Sequence, residues 1–520
     1  MITHVRHFLA ESNVDENVSG IQPQEFIDSL LESIWNFIAT VFSWCRVIWM
    51  VRKLPGPPGK PIIGHLGVYS RPTKSLEIIK KLQNEFPICN KNFMTFYPQV
   101  FVHSPEAVQE ILSKKQKHND KGSVYHTLLP LLGEGLITSK GEKWLKRRKM
   151  VTPAFHFNIL EGFFEVFTKR STEYIKQLKE ASINNDFFDI IPHNKKVTMN
   201  FILETAIGVP EGFHHERLSE VIKALQRLEE IALYRCWKPW LLVDGIFKWT
   251  PSYREQEHHR KILERFTSEI IKNRRIALAN ESNEEWYSDT KKNTILIDLL
   301  LKQSEGGKLL TDEEIREEIN TFVFAGQTTT MLAISYCIYL LGLYPDEQKR
   351  AADEVDEIFG DSKRDPTLMD LKRMYFIERC IKEALRLYPS VPILARRITE
   401  DQTLGDYVLP KNVDCIVFPY VLHRNPKQFP NPEVFNPDNF LPENSKDRHA
   451  YSYIPFSAGP RNCVGKRFAN NAMKTVISWV LREFKIESLR SQDKLNLIPS
   501  TVLVPLGGLK VKLTLRKTGQ

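Results

Sequence analysis

Cysteine is scarce in this chain. Seven residues in 520 (Cys45, Cys89, Cys236, Cys337, Cys380, Cys415 and Cys463) are odd in number and widely spread, and no two form a Cys-x-x-Cys pair. That pattern excludes a disulfide framework and a ribbon-type zinc site, and it suits a body facing a reducing compartment. No long Lys/Arg run with interleaved aromatics occurs, and no nucleic-acid motif. The net charge of +9 therefore points to an anionic membrane surface and an acidic protein partner, with no nucleic acid. The 30 prolines are not gathered in a low-complexity tract. No internal repeat is visible and no linker divides the chain after residue 60. One large body is expected where length alone would suggest several domains.

What is present suits a folded globular body: 42% hydrophobic and 26% charged residues. Helical periodicity dominates, as in Ser75–Glu85, Gly141–Val151, Leu218–Ala232, His258–Ala279, Asp312–Gly342, Pro345–Phe359, Asp370–Tyr388 and Lys466–Phe484. Extended signals are shorter: Lys91–Val102, Tyr407–Val408, Asp414–Val417 and Leu509–Leu515, the last with Leu509, Val511, Leu513 and Leu515 on one face. The fold class expected is mainly α with small β-sheets. The polar stretch Asn280–Lys292 reads as a surface loop.

The amino-terminal region divides into a polar extension (1–25), an apolar segment (26–51) and a Pro-rich hinge (52–60), ahead of the globular body (61–520). The apolar segment reaches the roughly 20 residues of a spanning helix only by including Arg46. Trp35, Trp44 and Trp49 suit interfacial anchoring. A helix lying on the membrane surface is the alternative. A cleaved signal peptide is not expected, because the run starts late and lacks a small-residue cleavage pattern. Asp28 and Glu32 precede the uncharged part and Arg52 and Lys53 follow it, which places the body on the cytoplasmic side. Leu54-Pro-Gly-Pro-Pro-Gly59 cannot continue a helix and forms a stiff elbow.

The segment Phe456-Ser-Ala-Gly-Pro-Arg-Asn-Cys-Val-Gly-Lys-Arg-Phe-Ala469 carries most of the functional reading. Gly459 and Gly465 bracket Cys463 and relax the backbone there. A helical pattern begins just beyond, so the cysteine meets the partial positive charge of unpaired N–H groups, which favours thiolate. The spacing Phe-x-x-Gly-x-Arg-x-Cys-x-Gly is complete. It resembles the cysteine loop of the cytochromes P450, and the longer stretch is similar to the family best known for fatty-acid ω-hydroxylation, including its insect members. The resemblance extends from Leu54 onward.

That resemblance implies the cytochrome P450 fold, with haem between a long oxygen-side helix and the cysteine-loop helix. Cys463 would ligate the iron, its thiolate pushing electron density toward the metal. Phe456 would shield the sulfur, and Arg461, Arg396, Arg148 and Trp144 would hold the propionates. Glu383 and Arg386, three apart on one helix face, match the family's buried ion-pair motif. Asn439 stands where the family often has a third, arginine partner. Lys143, Lys146, Arg147 and Lys149, with Lys466 and Arg467, would form a positive surface for an acidic electron donor.

The stretch Glu314–Thr330 resembles the helix crossing over the haem. Ala325 and Gly326 would admit O₂ and substrate, and the Thr329 hydroxyl would bond back to the Ala325 carbonyl. The family usually has an acid before that threonine; here it is Thr328, so Thr328 and Thr329 would share proton delivery. Many ω-hydroxylase relatives carry Glu at position 325 and esterify a haem methyl. Ala325 implies haem b held non-covalently. Tyr125, Phe322, Ala325, Val391, Ile393 and Val502 would line a pocket for a lipophilic substrate. The implied activity is insertion of one oxygen atom from O₂, with electrons from NADPH through cytochrome P450 reductase and with cytochrome b5 as a further partner, at the endoplasmic reticulum membrane. Two other readings stand beside it: a haem-thiolate isomerase or dehydratase acting on a peroxide, and a non-enzymatic haem binder.

Overall fold

In the computed structural model, residues 23–69, 71–113, 120–209, 215–280, 295–304, 310–489 and 495–516 are described. Residues 1–22 of the polar extension and 281–292 of the polar loop lie outside them.

The helix Asp312–Leu343 organises the rest. Its start is set by a reciprocal cap: the Thr311 hydroxyl accepts from the Glu314 N–H, and the Glu314 carboxylate accepts from the Thr311 N–H. Apolar residues lie on all its sides from Ile315 to Leu341, as a helix in the centre of a core requires. It is apolar enough to cross a membrane by composition, yet 83% of that stretch is buried inside the protein. Around it pack Ile191–Thr205, Pro251–Asn280, Tyr375–Leu387 and Lys466–Glu483. Pro345 ends the pattern and opens the next helix, Pro345–Phe359.

The main sheet has four strands. Strand β1 (Cys89–Met94) pairs antiparallel with β2 (Tyr97–Val102), putting Asn92 opposite Gln99. Asp414–Val417 runs parallel to β2, and Leu394–Arg397 completes the sheet. Lys91–Val102 is thus a hairpin rather than one extended segment. Its turn lacks the Gly, Asn or Asp that usually announces one, and Thr95 itself takes φ 59°. Asp370–Tyr388 is likewise two helices, Leu368–Arg373 and Tyr375–Leu387, parted at Met374. The Glu354 carboxylate caps the second, accepting from the N–H groups of Phe376 and Ile377 at 2.7 and 2.9 Å. In the last strand, Lys510–Leu515, Val511 and Leu513 are buried but Leu515 runs past the core edge and is exposed. The helices Leu218–Ala232 and His258–Ala279 extend to His215–Trp237 and Pro251–Asn280.

The amino-terminal helix is Pro23–Arg52, long and apolar enough from Asp28 to cross a membrane. Its last turns belong to the body. Val47 and Val51 are buried against Val100, Val102, Leu404 and Leu409, and Arg46 pairs with Asp401. Arg46 is therefore held by the body, while Trp49 one turn further on stays exposed on the side opposite Val47 and Val51. Trp35, Phe37, Phe42 and Trp44 also lie exposed on this helix. The Pro-rich elbow is strapped to β1: the Pro55 carbonyl accepts from the Lys91 N–H at 2.8 Å. Gly56, at φ 147°, lies so close to Lys91 that a Cβ would collide.

Candidate active site

A cavity of about 730 Å³ lies between the long helix and the cysteine loop. Phe322, Ala325, Gly326 and Thr329 line one side, and Phe456, Arg461, Cys463 and Gly465 the other. The Cys463 N–H donates to the Phe456 carbonyl at 2.9 Å, and the Asn462 N–H to the Gly459 carbonyl at 3.1 Å, closing the loop on itself. Gly459 has φ 70°, and a Cβ there would sit 1.7 Å from the Leu112 carbonyl oxygen. Only glycine fits. Gly465 has an ordinary φ of −85° and caps the helix Lys466–Glu483, so its role is not conformational. Burial pushes the Cys463 thiol up, while the Gly465 N–H, Arg148 and Lys466 pull it down.

Lys121 and Arg461 line one edge of the cavity, and Arg396 is buried beside them. Arg396 is buried (2% exposed); its Nη1 donates to the Ala395 carbonyl, and its Nη2 has no partner among the described residues. Arg461 donates to the carbonyls of Leu136 and Ser139 at 3.2 and 2.7 Å and lies 4.1 Å over the Trp144 ring. Its pKa is pushed down to about 9 by burial and by the Arg396 charge. Lys121, bridged to Arg396 through the backbone, is pushed down by burial and by both arginines. No carboxylate lines the cavity among the described residues. Sequence reading missed Lys121, which belongs to no motif. Tyr125 lines the cavity at this charged edge, with the Lys121 ammonium 4.4 Å over its ring. Arg148 differs from expectation: its guanidinium donates to the Asn462 carbonyl and side-chain oxygens at 2.9 and 2.8 Å, fastening the cysteine loop.

Arg147 is not part of a positive surface. It is buried, and its guanidinium faces Glu314, Glu317 and Glu318 on the long helix. Lys143 is taken by Glu134 at 2.5 Å. Lys146, Lys149, Lys466 and Arg467 remain exposed. With one guanidinium shared by three carboxylates, burial holds Glu318 up at about 7.

On the long helix, the Thr329 hydroxyl donates to the Ala325 carbonyl at 2.6 Å, and the Thr329 carbonyl accepts from Ser390 at 2.8 Å. Thr328 does not line the cavity. It is buried, and its hydroxyl donates to Gln327 Oε1 at 2.9 Å, turned from the site by the 100° helical step. Gly326 lines the cavity, but its absent side chain would point at Ile202, so its smallness also serves helix packing. Val391, Ile393 and Val502 line the cavity with Phe322 and Ala325.

Behind the cysteine loop, Glu383 and Arg386 are both fully buried. Arg386 Nε and Nη2 meet the two carboxylate oxygens at 2.8 and 2.7 Å. Its remaining donors reach the carbonyls of His423, Pro432 and Val434. Glu383 also accepts from the Asn436 N–H and from Asn439 Nδ2 at 3.0 Å. Asn439 is thus the third arm, without charge. The charge comes from Arg448, whose Nη2 donates to the Asn439 carbonyl at 2.7 Å and whose field reaches Glu383.

A cysteine at the mouth of a helix, facing a helix loosened at a threonine across an apolar cavity, defines a haem-thiolate site. The cytochrome P450 family model matches residues 54–513, and the chain belongs to that family. It is similar to cytochrome P450 4c3 of Drosophila melanogaster (39% identical, covering 97% of each chain) and to cytochrome P450 4V2 of Homo sapiens (41%, covering 81% of each). Cytochrome P450 4c21 of Blattella germanica is 37% identical over 87% of this chain and 92% of its own. The chain is a haem-thiolate monooxygenase by family, with haem iron as its cofactor. The residues fit that group. The cavity offers a thiol on its floor and, at one edge, the cations Lys121 and Arg461, suited to two carboxylates.

Proposed function

We propose that this protein inserts one oxygen atom from O₂ into a lipophilic substrate, drawing electrons from NADPH through a reductase at the endoplasmic reticulum membrane. The observation that carries the reading is Cys463 and Thr329 lining one apolar cavity. Bound haem supplies the activation of O₂; the protein's own residues do the rest. Cys463 holds the iron. Arg396, Arg461 and Lys121 bind the two propionates. Trp144 stacks under Arg461, and Arg148 orients the loop through Asn462. Phe456 keeps water from the sulfur. The Thr329 hydroxyl holds a proton at the turn it opens in the helix. With Ala325 in place of a glutamate, the porphyrin is bound without a covalent link. Phe322, Ala325, Val391, Ile393 and Val502 shape the substrate cavity. Lys146, Lys149, Lys466 and Arg467 face an acidic reductase or cytochrome b5, and the exposed apolar side chains between Leu30 and Trp49 anchor the body in the membrane.

The test has two parts. Reduced protein under carbon monoxide should show the red-shifted Soret band of a thiolate-ligated haem, and substrate oxidation should require NADPH and reductase. Correctly loaded protein without that band overturns the proposal. One observation favours a second reading: no acid lines the cavity among the described residues, and Thr328 turns away from it. An isomerase or dehydratase acting on a peroxide needs no proton relay. Turnover of a lipid hydroperoxide without NADPH would select that reading.

A further inference from the structure

A short segment, Gly133–Ser139, touches both the acidic patch of the long helix and the cysteine loop. It lies hard against the helix. A Cβ at Gly133 would sit 2.4 Å from the Glu317 side chain, and one at Gly135 2.8 Å from the Glu317 carbonyl oxygen. Two carboxylates of the helix fasten it. Glu317 accepts from the Glu134 N–H at 2.9 Å, and Glu318 from the Leu136 N–H at 3.1 Å. On the other side, the carbonyls of Leu136 and Ser139 accept from Arg461 at 3.2 and 2.7 Å. Leu136 thus has its N–H on Glu318 and its carbonyl on Arg461. A second route joins the same two residues. Arg147 donates to Glu318 at 3.3 Å, and Trp144, one turn earlier on the helix Gly141–Val151, lies 4.1 Å under Arg461. Glu318 therefore holds both supports of Arg461: the carbonyl that its Nη1 reaches and the ring beneath its plane. Glu318 is 0% exposed and Arg147 2%. A neutral amide would fasten the segment without the cost of burying a carboxylate.

We infer that Glu318 is a positioning residue for Arg461, fixing that guanidinium for a haem propionate when its carboxylate is ionised and loosening it when protonated. The inference rests on the reading of Arg461 as a propionate partner. An ionised carboxylate accepts from Leu136 and Arg147 through charge-assisted bonds, roughly twice as strong as neutral ones. A carboxylic acid accepts weakly and carries a proton that neither of these donors can take. The charged groups around Glu318 are Arg147 and Lys143 from the neighbouring helix and Glu314 and Glu317 from its own, with Glu134 of the segment acting on Glu317. Burial holds Glu318 up at about 7, against the pull of Arg147, the Leu136 N–H and Lys143 and with Glu317 adding to the rise. Haem is therefore held tightest above neutral pH. Folding stability at this carboxyl runs the other way, falling as the group ionises in the interior. Haem retention and haem-free stability should move in opposite directions with pH, which simple fastening of a segment would not produce.

The rate of haem loss to haem-free myoglobin tests this, in wild type, Glu318→Gln, Arg461→Gln and the double variant. The wild type should lose haem about fivefold faster at about pH 6 than at about pH 8, the worth of one hydrogen bond. Glu318→Gln should show one rate across that range, close to the wild type's acid limit. Arg461→Gln should lose haem faster at every pH, and the double variant should be no worse than Arg461→Gln alone. A flat wild-type profile would overturn the inference without any variant. So would a pH dependence unchanged in Glu318→Gln, or two substitutions whose effects multiply, since Glu318 would then act independently of Arg461. The carbon monoxide band of the same samples reports the haem-thiolate reading separately. A normal band with any of these results sinks the positioning role alone.

Discussion

Two clusters of buried arginine differ in how their charge is met. Arg386 is matched in full: one carboxylate, three carbonyls, and on the far side an amide and a second cation that balance Glu383. Arg396 is not. It shares its neighbourhood with Arg461 and Lys121, and one of its nitrogens has no partner among the described residues. The first cluster is complete within the polypeptide and holds the fold. On the proposed reading, the second would be completed by a bound dianion, so it would spend folding stability on cofactor binding. A buried charge is tolerable when its donors are satisfied; the chain does this with its own atoms in the first cluster and does not in the second.

The largest expected effect breaks the first cluster. Arg386→Ala strands Glu383 in the interior and should cost about 3–5 kcal/mol, read as collapse of the yield of haem-loaded protein. Arg386→Lys should rescue only part, because an ammonium cannot replace the forked donors. Full haem loading in the alanine variant would contradict the assignment.

Breaking the second cluster should give the opposite sign in the absence of cofactor. Arg396→Met removes a cation from among cations, so the melting temperature of the haem-free protein should hold or rise. Haem affinity should fall by roughly tenfold, the worth of one charge-assisted hydrogen bond, measured by haem transfer to an acceptor protein. A drop in haem-free stability would mean that Arg396 belongs to the fold after all.

Between these extremes lies Arg147, one cation among three carboxylates. Glu318, held up at about 7, binds a proton in the folded state that the unfolded chain, with a carboxyl near 4.5, releases earlier. Stability at this site is therefore greatest below pH 4.5 and declines as pH rises toward 7. Glu318→Gln should flatten that decline, seen as a gap in melting temperature between variant and wild type that closes as the pH is lowered. A gap independent of pH would show that Glu318 is ionised throughout.

How much of this was legible beforehand follows the distance over which each feature is built. The Thr329 back-bond and the Glu383–Arg386 pair join residues four and three apart on one helix, so the spacing permits them and the resemblance singles them out. The cysteine loop is a contiguous motif whose glycine at 459 is demanded by the Leu112 carbonyl. Arg448 and Lys121 carried no local signal. Each acts on residues from other segments, and nothing in its immediate neighbours marks it. Arg147 looked like one more member of a basic run; burial against the long helix separates it from Lys146 and Lys149. Thr328 and Thr329 are adjacent in the chain yet face different surroundings.

The amino-acid sequence by itself determined the thiolate loop, the helices that flank it, the ion pair behind it and an apolar, Trp-bearing helix ahead of the body. These depend on neighbours within a few residues and on hydrophobic period, which a linear chain displays. Only the tertiary structure decided which cations gather at the cavity edge, which turns of the amino-terminal helix pack on the body, and that Thr328 turns from the cavity that Thr329 lines. Those depend on which segments fold against one another, and on whether the partner that satisfies a buried charge or amide lies nearby in space.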